Sequence, residues 1–282
     1  MFNSFTKSIL FAPLLSLLLG GVLVVSCGDD DNEEDVQTSS SNQNAGSNDS
    51  GSENVFPGIV YTVNGVSFKM IAVKGGTFQM GSDDGYEWEK PVHQVTLSDY
   101  YIGETEVTQE LWNAVMGSNP SHFTGNMQLP VEMVSWNDCQ TFISRLNELT
   151  GKTFRLPTEA QWEYAARGGN KSKGYIYSGS NEIDEVAWDW DFQGIPTHPV
   201  KTKVPNELGI YNMSGNVIEW CSDWYGPYSS AAQTDPTGPS TGSNRVRRGG
   251  GWGSGATDYR VASRFNYSPT YTAGDLGLRL AH

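Results

Sequence analysis

The chain changes character at residue 55, and that break decides which part of it can fold. Residues 28 to 54 hold no Lys or Arg but eight acidic residues, Asp29, Asp30, Asp31, Glu33, Glu34, Asp35, Asp49 and Glu53. Most of the remainder is Ser, Asn, Gln and Gly. Such a stretch cannot bury enough apolar area to offset its chain entropy, and its like charges repel, so residues 27–54 are expected to form an extended tether. Ahead of it, Lys7 and the apolar run from Ile9 to Val25 read as a secretory signal peptide over residues 1–26. One folded domain is left for residues 55–282.

The apolar run ends in Val24-Val25-Ser26-Cys27, which resembles a bacterial lipobox. The resemblance implies cleavage before Cys27 and acylation of that residue. At about 0.8 kcal/mol per buried methylene, two or three acyl chains hold a protein to a membrane. Membrane contact is thus expected through the lipid anchor only. The acidic cluster behind Cys27 has two readings: a solvated spacer, or a resemblance to the signal that sends lipoproteins to the outer face of the outer membrane. The expected location is the bacterial cell envelope, lipid-anchored, at the outer membrane and facing outside.

A net charge of −14 disfavours a phosphate backbone as partner, so no nucleic acid is expected. Only three cysteines are present, which excludes a disulfide-dense scaffold. Aromatic residues make up 12% of the chain and supply a core, while 32 Gly and 13 Pro forecast many turns. Short alternating runs broken by glycine, Val66 to Val73 and Thr77 to Met80, predict strands of small sheets. Helices are predicted over 108–116, with Leu111, Trp112 and Val115 on one face, and over 136–149, between Ser135 as N-cap and Gly151 as stop. A third is predicted over 158–167, opened by a Thr158/Gln161 capping box. Beyond Gly168 the pattern is turns and short strands. The class is α+β, with an irregular second half.

Several ordered blocks are similar to the formylglycine-generating enzyme, or sulfatase-modifying factor, family. They include Gly75-Gly76-Thr77-Phe78-Gln79-Met80-Gly81, Glu106-Val107-Thr108, Phe154-Arg155-Leu156-Pro157-Thr158-Glu159-Ala160-Gln161-Trp162-Glu163-Tyr164, Gly215-Asn216-Val217-Ile218-Glu219-Trp220, Arg248-Gly249-Gly250 and Leu276-Gly277-Leu278-Arg279-Leu280. The resemblance implies an irregular C-type-lectin-like fold with few short helices and small antiparallel sheets. Members that oxidise a substrate cysteine bind copper through two cysteines just after the Arg-Gly-Gly block. Here Ser254 stands at the first of these positions, and no cysteine follows Cys221. Copper(I) selects thiolate, so copper is not expected and no catalytic residue is assigned. Cys139 and Cys221 read as small buried hydrophobes. His93, His122, His198 and His282 are scattered singly and form no triad.

The resemblance also implies a calcium loop. Asn212 and Glu219 would give side-chain oxygens, and Gly215 and Val217 backbone carbonyls, in keeping with the six to eight hard oxygen ligands that calcium takes. A metal-free turn remains the alternative. The family's second calcium loop falls near Val186-Ala187-Trp188, where Val186 replaces an Asn ligand and Asp189 and Asp191 lie close by.

Near the end of the chain, Arg260, Arg264, Pro269 and Leu276 to Leu280 look fixed. Between them lie Ser254, Asp258, Tyr259, Ser263, Phe265, Asn266, Tyr267, Tyr271 and Asp275, each reachable from an Asn codon by changing adenines alone. Residues 253–275 hold no Lys, Glu, Gln, Met or Trp, which such changes cannot produce. The pattern resembles the variable region of proteins diversified by retroelements, and ordinary drift of a surface loop explains it as well. Rigid aromatics among small polar residues have the composition of a paratope, so these nine residues are the candidate binding face for a protein or glycan ligand. The function read from the sequence is a surface-tethered, non-catalytic binding module. The alternatives are a formylglycine-generating oxidoreductase acting on a sulfatase cysteine, and a structural envelope lipoprotein of a secretion or gliding apparatus.

Overall fold

The computed structural model describes residues 58–188 and 197–282. Asn64 and Gly65, both at positive φ, make the two-residue turn that suits the right-handed twist of a hairpin. They join β1 (Ile59–Val63) to β2 (Val66–Val73). β3 (Gly76–Met80) pairs antiparallel with β4 (His93–Leu97), and β5 (Tyr100–Gly103) returns to the free edge of β2. Both strands expected before residue 81 are therefore present.

The three expected helices form where their caps place them. α1 (Gln109–Met116) starts at Thr108, whose side chain accepts from Leu111 N. α2 (Trp136–Thr150) has a full Ser135/Asp138 capping box and stops at Gly151 in the left-handed region. α3 (Glu159–Ala166) has the Thr158/Gln161 box. A single turn, α4 (Ile183–Val186), follows. The remaining strands are β6 (Ile218–Trp224), β7 (Gln233–Thr234), β8 (Arg245–Arg248), β9 (Arg264–Tyr267) and β10 (Leu276–Leu278). The second half forms a four-stranded sheet in the order β10-β6-β8-β9, while β7 adds to β4. The contacts of β10 with β6 and of β7 with β4 are parallel; the other strand pairs are antiparallel.

Two apolar clusters fill the domain. One lies between α1, α2 and the β1 and β6 regions, where Trp112 stacks on Phe142 at 4.7 Å. The other surrounds α3 and includes Met80, Val95, Ile102, Trp162 and Val246. All eight residues of α3 are buried, so the helix carries Glu159 and Glu163 into the interior. Buried carboxylates need partners, and arginines from the following sheet supply them. Arg264 holds Glu159 through two bonds of 2.7 Å, and Arg248 pairs with Glu163. In the same way Arg279 grips both oxygens of Glu219. Beyond β10, Ala281 lies inside the fold and bridges both Ile102 and Arg155.

Candidate functional site

The segment 249–275 runs between β8, whose alternate residues are buried, and the fully buried β10. Its first turn is set by Gly250, at φ +69°, where an added Cβ would lie 2.7 Å from the Tyr259 ring. Tyr259 is fully buried, and its hydroxyl lies 3.0 Å from the carbonyls of both Gly251 and Ser254, which share its one proton. Ser263 is buried too and bonds Thr257 O at 2.7 Å. These two residues are corrections to the expected face: their polar atoms close the turns of the segment from within and meet no solvent. Ser254 is partly buried, with Oγ accepting from Gly251 N. The fixed-looking arginines are structural as expected, Arg264 through Glu159 and Arg260 through a bidentate pair with Glu89.

The residues that do reach the surface form a continuous aromatic face. Tyr267, 42% exposed, stacks on Tyr271 with ring centroids 3.7 Å apart. Phe265 lies 6.2 Å from Tyr86, which stacks on Trp88 at 4.6 Å and donates its hydroxyl to Asp258. Trp88 is 44% exposed. Arg247 extends from β8 over the rings of Phe265 and Tyr267, at 6.0 and 5.5 Å from their centroids. Burial pulls its pKa down, with Asp275 acting in the opposite direction. Asp275 is itself pushed up by burial and held back by Arg247. Asn266 is fixed by Asn244 at 2.6 Å. A shallow hollow of about 190 Å³ opens between Trp88, Tyr225, Arg247 and Phe265. The structure thus joins Asp258, Phe265, Tyr267 and Tyr271 to three residues that the sequence reading missed, Tyr86, Trp88 and Arg247. The available signal was the acidic-aromatic loop Asp83-Asp84-Gly85-Tyr86-Glu87-Trp88, which interrupts two strands without a packing reason of its own.

The expected calcium loop is tightly folded, with Asn212, Gly215 and Asn216 all at positive φ. Its carboxylate, however, is already engaged. Glu219 Oε2 accepts from Trp162 Nε1 at 2.7 Å and from Arg279 Nε at 3.0 Å, while Oε1 accepts from Arg279 Nη2 at 2.7 Å. Asn212 Oδ1 accepts from Lys201 N, and its buried Nδ2 has no partner. Arg279 and Trp162 thus bond both oxygens of Glu219, and a calcium ion held by Asn212, Gly215, Val217 and Glu219 would share that carboxylate with the guanidinium. Asn216 instead donates to Glu106, a buried carboxyl that desolvation raises to about 8. Among the described residues no three His, Cys, Asp or Glu side chains converge on a possible metal position. Asp189 and Asp191 of the second loop, and Cys27, lie outside the described residues. Cys139 and Cys221 are buried on separate elements, and burial pushes both thiols well up.

The family profile of the sulfatase-modifying factor enzyme 1-like domain matches residues 63–282. A formylglycine-generating enzyme of Streptomyces coelicolor is 33% identical over 288 residues, covering 75% of this chain and 88% of its own. The chaperone protein LppX of Paenibacillus barcinonensis is 35% identical over 268 residues, covering 76% and 89%. Among solved structures, Treponema denticola variable protein 1 superposes with a TM-score of 0.75 at 37% identity, over 79% of this chain and 98% of its own. PvdO from Pseudomonas aeruginosa gives 0.65 at 26% identity, over 80% and 98%.

Proposed function

The chain belongs to the family of sulfatase-modifying factor enzyme 1-like domains, and from that premise we propose that it is a binding module whose C-terminal aromatic face captures a protein or glycan ligand without catalysis. The observation that carries this reading is the face itself: Phe265, Tyr267 and Tyr271 meet Tyr86, Trp88 and Arg247 on a segment whose two ends are anchored in the core. Aromatic and arginine side chains on a rigid support lose little conformational freedom on binding, which is what concentrates affinity in a few residues. The likeness to a protein named as variable supports the same view of segment 253–275 as an exchangeable surface. No cysteine follows Cys221, so the thiolate pair of the oxidising members has no counterpart here. In this reading Cys27 carries the lipid and residues 28–54 are the spacer.

The test is capture on a protein and glycan array by the full chain. Tyr267→Ala and Tyr271→Ala should each weaken capture by about 30-fold or more, since truncating a central aromatic typically costs about 2 kcal/mol or more. The melting temperature of Tyr267→Ala should stay near that of the parent, whereas Tyr271→Ala should lower it somewhat, because Tyr271 also packs against the apolar cluster around α1 and α2. Relatives named formylglycine-generating enzyme favour a second reading, oxidation of a sulfatase cysteine. Copper-dependent conversion of a cysteine-containing sulfatase peptide by the wild type would establish that reading in place of the first.

A further inference from the structure

The loop 225–244, between β6 and β8, lines a cleft of about 510 Å³. The loop is held at its middle. β7 pairs with β4, and Asp235 accepts from both the amide and the hydroxyl of Ser98 at 2.8 and 2.7 Å. Pro227, Pro236 and Pro239 stiffen the rim. A cleft of this size, pinned in this way, is within the range of small-molecule sites, about 300–1,000 Å³, and needs little ordering to accept a ligand.

The floor carries two hydrogen-bond acceptors that the protein leaves open. Asp223 is 4% exposed; its Oδ2 accepts from Glu159 N at 3.0 Å and Ser222 Oγ at 2.9 Å, and its Oδ1 takes no donor among the described residues. His93 is 3% exposed, and its Nδ1 lies 3.0 Å from Pro91 O. A carbonyl can only accept, so Nδ1 carries a proton, and in that tautomer Nε2 is the acceptor. The full charges beside them cancel, because Glu159 is held bidentately by Arg264 and also accepts from Tyr228. Burial and the Glu159 charge raise the Asp223 carboxyl to about 7, so Oδ1 accepts a hydrogen bond when the group is ionised and can donate one when it is protonated, and a ligand hydroxyl can answer either state.

We propose that this cleft is a second binding site, separate from the aromatic face, which takes a neutral polyhydroxylated ligand such as a mono- or disaccharide. Its hydroxyl groups supply donors to Asp223 Oδ1 and His93 Nε2, and its C–H surface rests on Met80, Pro227 and Pro239. A ligand that covers this floor without hydrogen-bonding groups would leave Asp223 Oδ1 and His93 Nε2 desolvated and unpaired, so the site favours hydroxyl-bearing ligands.

The experiment measures binding of maltose, lactose and cellobiose to the full chain by calorimetry, with thermal shift as a second readout. At least one of the three should bind and raise the melting temperature. Asp223→Asn should reduce that affinity tenfold or more, since it replaces the open acceptor, and Ser229→Trp should abolish binding by filling the cleft. Tyr267→Ala should leave saccharide binding unchanged, which separates this site from the aromatic face. Absence of binding by all three sugars overturns the proposal. So does binding that survives both Asp223→Asn and Ser229→Trp, or that is lost in Tyr267→Ala.

Discussion

Glu159, Glu163, Glu219, Arg248, Arg264 and Arg279 are all buried, and each carboxylate is closed by an arginine. In the sequence they look like ordinary charged residues, and a one-dimensional pattern cannot tell a paired interior charge from a solvated one. The one available cue was α3, whose string Glu-Ala-Gln-Trp-Glu-Tyr-Ala-Ala leaves no wholly polar stripe. The same blindness applies to the calcium loop, where the ligand residue types are present but the sequence did not show that Arg279 also bonds the Glu219 carboxylate. Removing one member of a buried pair leaves the other desolvated and uncompensated, at a cost of about 3–5 kcal/mol. Glu219→Ala should therefore lower the urea midpoint far more than Glu219→Gln, which keeps a hydrogen-bonding oxygen for Trp162. Melting in chelator and in calcium should coincide, because the guanidinium already neutralises the carboxylate. A rise in melting temperature with calcium, lost in Glu219→Ala, would return Glu219 to the ligand role that the family resemblance gives it.

At the level of elements, the strands and helices were legible because caps, glycine stops and alternation are local signals. The loop segment between β8 and β9 was not, since residues 251–263 run through consecutive turns and have no period that separates inward from outward positions. Tyr259 and Ser263 share residue types with Tyr267 and Ser254, yet the first pair is enclosed by its own loop. β9 restores a readable pattern, with Arg264 buried and Tyr267 out in solvent. The two tyrosines should separate cleanly in experiment. Tyr259→Phe removes the hydroxyl that bonds Ser254 O, while Gly251 O keeps the Ser254 amide, at a cost of about 1 kcal/mol. Tyr267→Ala lies at the surface and should change stability by about 0.5 kcal/mol or less. Urea unfolding of both variants checks this, and equal losses would place Tyr267 in the core.

Across the whole molecule, the C-terminal strand threads back to β6 and β5, so the last family block and the first half of the chain stabilise each other. That closure also brings Tyr86 and Trp88 beside Phe265, a juxtaposition about 180 residues apart in sequence that only the fold reveals. One property belongs to the folded chain as a unit. Desolvation raises Glu106 from 4.5 to about 8 and Asp223 from 3.8 to about 7. A carboxyl with a higher pKa in the native state binds its proton more tightly there than in the unfolded chain. The stability it contributes is full below the ordinary carboxyl range and is lost as pH rises through the folded value. The affected window therefore opens near pH 4 and closes near pH 8. This trend runs against the usual gain that salt-bridged carboxylates give on leaving acid, so the comparison must be made against a variant that lacks both titrations. Glu106→Gln combined with Asp223→Asn keeps the shapes of both side chains and removes their protons from the balance. Between about pH 5 and about pH 9 the wild type should lose more unfolding free energy than this double variant, by an amount on the order of a few kcal/mol. Calorimetric melting curves across that range provide the measurement, and parallel profiles for the two proteins would mean that Glu106 and Asp223 are ionised in the native state throughout.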